Sequence, residues 1–193
     1  MIDTHSHILP AVDDGSIDMD MSMDMARLYV KNGFKKVIAT PHYISGESNS
    51  TLTKNKALLN ELNNRISDES IDLKVYLGNE VYIYPDIIRD VIDDKLSTLN
   101  NTRYILIELP MFNMPLYTGD IVYEILLKGY IPIFAHPERN SNIIKNPNIL
   151  YNYVRQGALA QLNLPSLEGL YGEHIKSTAE TLLKHKIYHF VGT

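Results

Sequence analysis

Short apolar runs alternate with helical patterns along the whole chain, and this alternation limits the fold more than any other feature. The runs are rich in β-branched and aromatic residues, which favour buried strands. Strands are therefore predicted at residues 1–5, 35–40, 73–81, 103–109, 131–136, 158–164 and 187–193. Because strands separated by helices form parallel sheets, the sequence predicts an α/β fold.

Cap residues mark where the predicted helices begin and end. Ser16 is predicted as the N-cap of the first long helix, whose apolar residues recur at helical spacing. Gly33, Gly129 and Gly157 each follow a helical pattern and precede an apolar run. Glycine accepts the left-handed conformation that ends many helices, so short connections to the next strand are expected there. No linker divides the chain, and one domain is predicted over residues 1–193.

Composition excludes several classes of protein. The 193 residues are 45% hydrophobic and 21% charged, as in an ordinary globular domain. A net charge of −5 argues against a nucleic-acid or anionic-membrane binder, which would carry a basic surplus. With no cysteine, any metal must be held by nitrogen and oxygen. Neither a signal peptide nor a membrane-spanning run is recognisable, and a cytosolic location is predicted.

The first predicted strand carries two imidazoles on one face. Side chains alternate along a strand, so Asp3, His5 and His7 project to the same side. Neutral imidazole is a common ligand of divalent transition metals. A His-x-His pair is more often solvated than metal-bound, so this site needs ligands from elsewhere in the chain.

Further polar groups follow the ends of other predicted strands. The carboxyl ends of parallel strands meet at one edge, where barrel enzymes assemble their active sites. Each group also has a structural explanation, such as a lysine partner for Glu80 or a core hydrogen bond for His136. The groups at these ends are His42, Glu80, Glu108 and His136.

Together with His5 and His7, these groups exceed what one tetrahedral ion can bind. Two or three divalent ions sharing a carboxylate fit better, and Glu80 is the candidate bridge. Clustered ions lower the pKa of bound water and neutralise phosphate oxygens. The sequence therefore predicts hydrolysis of a phosphate ester.

Several motifs at these positions resemble a known family. They are HSHILP at 5–10, DDG at 13–15, TPHY at 40–43, GNEVY at 78–82, ILIELP at 105–110 and AHPERN at 135–140. They are similar to the polymerase and histidinol phosphatase (PHP) superfamily, and to its manganese-dependent protein-tyrosine phosphatases from bacterial capsule and exopolysaccharide operons. The resemblance implies a distorted (β/α)7 TIM-like barrel, three metal ions, and as substrate the phosphorylated tail of a bacterial tyrosine kinase.

The resemblance also implies roles for individual residues. The implied metal ligands are His5, His7, His42, Glu80, Glu108 and His136, with Asp14 as a further ligand. Asp13 is implied to contact a ligand rather than a metal ion. Arg139 corresponds to an arginine beside the metals, where a guanidinium grips phosphate oxygens with paired hydrogen bonds. The alternative for Arg139 is a salt bridge with Glu138.

The end of the chain departs from the family pattern, in which the last strand runs into Gly-Thr/Ser-Asp-x-His and supplies two more ligands. This sequence stops at HFVGT. The expectation is a PHP domain truncated at its C-terminus, with weak metal retention and low or absent activity.

Two other functions stay open at this point. One is a small-molecule phosphoesterase of the histidinol-phosphate kind, and the other is an inactive regulatory binding protein. Nitrogen and oxygen ligands accept manganese, iron or zinc, and only the resemblance favours Mn²⁺. The oligomeric state is not predicted.

Overall fold

A computed structural model describes residues 1–47 and 50–192, in which parallel strands alternate with helices as predicted. Contacts divide the chain into two units. The first unit comprises residues 1–80 and 90–102, and the second comprises residues 81–89 and 103–193. Within the described residues, none of the helices combines the length and apolar composition that a membrane span requires.

The first unit is built on a three-stranded parallel sheet with the order β1-β2-β4. Asp3 pairs with Val37, and Val37 pairs with Val75, so the carboxyl ends of the three strands lie along one edge. The apolar residues of this sheet form a core with helices α1 and α2. The elements are β1 (Ile2–Ser6), α1 (Met19–Lys31), β2 (Lys36–Ala39), β3 (His42–Tyr43), α2 (Leu52–Asp68), β4 (Lys74–Leu77) and the start of β5 (Glu80–Tyr82).

Helix α1 begins later than the sequence predicts. Ser16 is not its N-cap, because that side chain is buried and donates to the Asp18 carbonyl oxygen at 2.7 Å. Asp18 caps the helix instead, and its carboxylate accepts from the Met21 amide at 2.8 Å. Both residue types are good caps, so packing decides between them. At the other end, Gly33 has φ of +82°, which confirms the predicted left-handed glycine.

The second unit carries four successive parallel strands in the order β6-β7-β8-β9. Glu108 pairs with Ala135, and Ala135 pairs with Gln161. Glu108 and His136 therefore lie at the carboxyl ends of neighbouring strands. The elements are α3 (Ile87–Ile92), which begins in this unit, β6 (Tyr104–Glu108), α4 (Thr118–Leu127), β7 (Ile131–Ala135), α5 (Ser141–Lys145), α6 (Asn148–Gln156), β8 (Leu159–Asn163), α7 (Leu164–Glu168), α8 (Glu173–Lys184) and β9 (Phe190–Gly192).

Candidate metal centre

One carboxylate oxygen of Glu80 is the meeting point of three imidazoles in the first unit. Its Oε2 lies 3.1 Å from His5 Nε2, 3.2 Å from His7 Nε2 and 3.3 Å from His42 Nδ1. The Glu80 side chain is 1% exposed. A buried carboxylate with three ring nitrogens aimed at it is the arrangement expected of metal ligands.

The strand ends bring these four side chains together. His5 belongs to β1, and His7 follows its last residue. His42 opens β3 directly after Pro41, and the Glu80 amide donates to the Pro41 carbonyl oxygen at 3.2 Å. The buried side chain of Asn79 donates to the same oxygen at 3.0 Å. The loop before His42 is thereby fixed to the strand that carries Glu80.

The two adjacent aspartates occupy different positions around His7. Both carboxylate oxygens of Asp13 have hydrogen-bond partners within the protein. Its Oδ2 lies 2.8 Å from His7 Nδ1 and accepts from the His42 amide at 3.0 Å, and its Oδ1 accepts from the Gly15 amide at 3.1 Å. Asp14 is 79% exposed, and its Oδ1 lies 3.4 Å from His42 Nε2 and 3.8 Å from His7 Nδ1. This geometry favours Asp14 as a ligand and Asp13 as the group that orients His7.

The donor set of the first unit fits divalent cations. Ligand atoms of His5, His7 and Glu80 lie within 4.8 Å of one another, and so do those of His7, Asp14 and His42. Both groups offer only nitrogen and oxygen, which suits manganese, iron or zinc. An open cavity of about 290 Å³ adjoins the second group, lined by Asp13, Asp14 and His42 and by the apolar side chains of Val12 and Ile44. Asp14 and His42 therefore border a space that a small molecule can enter.

The charge around His7 favours its protonated form when no metal is bound. Burial lowers the pKa of His7, but hydrogen bonds and charge interactions with Asp13 and Glu80 outweigh burial and raise it from 6.5 to about 10. For Asp13, burial opposes the charged form, yet the hydrogen bond with His7 leaves the pKa of the carboxyl below its ordinary value. In the metal-free protein His7 thus holds a proton at neutral pH.

Divalent-ion binding is therefore expected to release a proton and to strengthen as the pH rises through neutrality. A cation needs the neutral imidazole, so it competes with the His7 proton. Calorimetric titration with Mn²⁺ in buffers of different ionisation enthalpy measures the release directly. In the metal-free protein the same shift stabilises the fold fully below pH 6.5, and this contribution is lost as the pH rises through about 10. A binding enthalpy independent of the buffer contradicts the assignment of His7 as a ligand.

Gly15 packs against His7 so closely that no side chain fits between them. A Cβ at Gly15 would overlap the Cβ and the carbonyl oxygen of His7, and the Ser16 amide donates to that same oxygen at 3.0 Å. Gly15→Ala is expected to lower the free energy of unfolding by about 1–3 kcal/mol, as overpacking does, and to reduce Mn²⁺ content by displacing His7. Urea denaturation and elemental analysis measure the two effects.

Gly119→Ala is the matched control, because its added Cβ comes no closer than 3.9 Å to the Tyr153 hydroxyl oxygen. Equal metal content in wild type and Gly15→Ala contradicts the proposed link between the loop and the site.

In the second unit, Glu108 ends β6, and His136 follows β7 in a left-handed conformation with φ of +31°. Non-glycine residues adopt this conformation only in a small fraction of cases. His136 is buried, and the short 3₁₀ helix Pro137–Arg139 begins directly after it. The conformation of His136 thus sets the direction in which the chain turns toward Arg139.

The predicted alternative for Arg139, a salt bridge with Glu138, is wrong. Glu138 is fully buried, and its carboxylate accepts hydrogen bonds from the Ser166 hydroxyl at 2.8 Å, the Asn163 amide at 3.1 Å and the Tyr188 hydroxyl at 2.9 Å. Burial and the Glu138 charge raise the pKa of Tyr188 far above its ordinary value, so this phenol keeps its proton. Instead of an ion pair, the Arg139 guanidinium lies over the Tyr171 ring, 4.5 Å from its centroid.

The chain matches the family described as capsular polysaccharide synthesis, CpsB/CapC, over residues 1–193. It belongs to the CpsB/CapC family. Tyrosine-protein phosphatase YwqE of Bacillus subtilis (strain 168) is a relative with 42% identity over 193 residues, which are 100% of this chain and 76% of YwqE. CapC of Staphylococcus aureus is 34% identical, across 100% of this chain and 76% of CapC. The resemblance to capsule-operon phosphatases is thereby confirmed.

A solved structure at 42% identity agrees with this assignment to the CpsB/CapC family. It is described with crystal structures of YwqE from Bacillus subtilis and CpsB from Streptococcus pneumoniae, which are called unique metal-dependent tyrosine phosphatases. Its TM-score is 0.95 at 42% identity, and the match covers 100% of this chain and 78% of that chain. An organophosphorus hydrolase mutant from Deinococcus radiodurans is similar in fold alone, with a TM-score of 0.52 at 14% identity over 99% of this chain and 76% of the hydrolase. The predicted α/β fold with parallel strands is confirmed.

Three residues near the candidate ligands escape prediction from sequence. Gly15 was visible as part of DDG, but its contact with His7 was not. The sequence suggests Glu138 only as a partner for Arg139, and no sequence pattern points to Tyr171. The hydrogen bonds of Glu138 join residues 25 to 50 positions apart, which no local pattern reveals.

Proposed function

We propose that this chain is a metal-dependent protein-tyrosine phosphatase. The observation that carries the proposal is the convergence of His5, His7 and His42 on one oxygen of Glu80. YwqE, a relative that matches across the whole chain, is named a tyrosine-protein phosphatase. The substrate we infer is phosphotyrosine in the tail of a bacterial tyrosine kinase that regulates capsule or exopolysaccharide synthesis. A cytosolic location belongs to the same proposal.

The proposed metal ligands are those predicted from the sequence. His5, His7, Asp14, His42 and Glu80 are supported by their distances in the first unit. Glu108 and His136 rest on their positions at strand ends and on the family resemblance. We propose Mn²⁺ as the physiological ion, with two or three ions bound. When bound, such ions supply Lewis acidity that activates water and neutralises phosphate oxygens.

The residues of the chain itself have three tasks in this proposal. Asp13 orients the His7 ring by contacting its Nδ1 nitrogen, the position opposite the one that faces Glu80. Arg139 donates paired hydrogen bonds to the transferring phosphoryl oxygens and stabilises their charge in the transition state. The chain has no cysteine, so the reaction does not pass through a thiol-phosphate intermediate.

The proposal is tested by hydrolysis of a phosphotyrosine peptide. We expect turnover, even if slow, that requires Mn²⁺ in excess, stops after exhaustive chelation and recovers when Mn²⁺ is restored. Activity that survives chelation refutes the metal-dependent reaction. Histidinol phosphate is the comparison substrate, and faster turnover of histidinol phosphate than of the peptide favours a small-molecule phosphoesterase. Peptide binding without hydrolysis in the presence of Mn²⁺ favours a regulatory binding protein.

A further inference from the structure

Arg139 has an unusual set of partners for a half-buried arginine. Its backbone amide donates to the His136 carbonyl oxygen at 3.0 Å, and its guanidinium lies over the Tyr171 ring. Among the described residues, no carboxylate or carbonyl oxygen accepts a hydrogen bond from the guanidinium. Within residues 1–47 and 50–192, no oxygen therefore competes with a ligand for the five N–H donors of this group.

Stacking differs from an ion pair in what it leaves free. The N–H donors of a guanidinium point outward in its plane, so a ring that lies against the face of that plane leaves those donors free. A ring can therefore fix the orientation of the guanidinium without occupying the N–H donors that would bind a phosphate. A carboxylate partner would occupy that edge and would also cancel the charge.

The turn that carries Tyr171 is closed by backbone hydrogen bonds. It lies between α7 and α8, and within it the Gly172 amide donates to the Gly169 carbonyl oxygen at 3.0 Å. Gly169 and Gly172 have φ of +82° and +97°, which residues with a side chain rarely adopt. The Leu170 amide donates to the Pro165 carbonyl oxygen at 3.1 Å and ties the turn to α7.

The Glu138 carboxylate connects the segments that carry Arg139 and Tyr171, the two partners of the cation–π contact. Glu138 precedes Arg139, and its Oε1 accepts from the hydroxyl of Ser166 in α7, the helix that leads to Tyr171. The same oxygen accepts from the Asn163 amide at the end of β8. One buried carboxylate is thus bonded both to α7, which leads into the turn that carries Tyr171, and to the end of β8, and it belongs to the residue directly before Arg139.

We infer that Tyr171 is a positioning residue that presents the Arg139 guanidinium edge-on to a phosphate group. This inference rests on the proposed function, in which Arg139 binds the phosphoryl oxygens. The ring acts through Arg139 and needs no contact of its own with the substrate.

The test compares Tyr171→Phe, which keeps the aromatic face, with Tyr171→Leu, which keeps bulk but has no π system. The first readout is the NMR signal of the Arg139 Nε–H group, which the ring current of Tyr171 displaces. We expect Phe to retain the displacement and Leu to remove it. The second readout is binding of inorganic phosphate to the Zn²⁺-loaded protein, which Leu is expected to weaken about fivefold and Phe to leave near the wild-type value.

Tyr151→Leu is the matched control, because Tyr151 lies under Arg155 with 5.9 Å between guanidinium carbon and ring centroid. It is expected to leave phosphate affinity unchanged. The double variant Tyr171→Leu with Arg139→Ala should bind phosphate no more weakly than Arg139→Ala alone. Additive losses overturn the inference, because Tyr171 then acts independently of Arg139.

Failure of this inference and failure of the proposed function are distinguishable. If Arg139→Ala weakens phosphate binding and Tyr171→Leu does not, the positioning role is wrong while the phosphatase proposal stands. If the wild-type protein binds phosphate and shows the stacked Arg139 signal but does not hydrolyse phosphotyrosine, the phosphatase proposal is wrong while the positioning of Arg139 is supported.

Discussion

Glu80→Gln is expected to remove most of the bound divalent ion and to lower kcat/KM on a phosphotyrosine peptide by on the order of a thousandfold. The carboxylate supplies the single oxygen on which His5, His7 and His42 converge. Glutamine keeps the volume of the side chain but loses its charge and replaces one acceptor oxygen by a donor nitrogen. Elemental analysis after gel filtration and a steady-state assay measure the two losses.

The matched control is Glu61→Gln, which makes the same chemical change on helix α2, where Glu61 is 53% exposed and contacts Arg65. It should retain full metal content and activity. Glu80→Gln also lowers the pKa of His7, since part of the rise comes from Glu80, so proton release on Mn²⁺ titration should shrink in this variant. Wild-type metal stoichiometry and affinity in Glu80→Gln refute the central role of this carboxylate.

The positions of the candidate ligands along the chain were predictable because they depend on local order. A residue that ends a buried parallel strand lies at the carboxyl edge of its sheet whatever the rest of the fold does. His7, directly after β1, follows this rule, whereas the strand predicted over 73–81 is divided, because β4 ends at Leu77 and Glu80 opens β5. The distance of 3.1 Å between His5 Nε2 and Glu80 Oε2 nevertheless agrees with the predicted convergence. Glu108 and His136 obey the same rule within their own sheet, where their strands are neighbours.

The surroundings of these ligands were not predictable, because they depend on packing between distant segments. The contact of Arg139 with Tyr171 follows from a turn whose geometry is set by two left-handed glycines. The choice between Ser16 and Asp18 as N-cap was settled by the burial of Ser16. The sequence indicates which residue types are suited to a role, whereas tertiary contacts decide which residue takes that role.

Arg139→Ala is expected to fold, to keep its metal and to lose catalysis. Truncation removes one cation–π contact, worth about 0.5–1 kcal/mol at a partly exposed site. For a chain of this length, that loss lowers Tm by only about 1–4 °C. Removal of a donor that stabilises transition-state charge costs far more in rate, and we expect kcat/KM to fall about a hundredfold or further.

Arg139→Lys separates charge from geometry at this position. Lysine keeps the positive charge but lacks the planar fork, so it cannot donate paired hydrogen bonds or stack with a flat face on Tyr171. An intermediate rate is expected, closer to the alanine variant than to wild type. Arg155→Ala is the control, because it removes a similar contact with Tyr151 from helix α6 and should change neither metal content nor turnover. If Arg139→Ala loses its cooperative thermal transition, or keeps wild-type turnover, Arg139 is a structural residue and the phosphate must be bound by other groups.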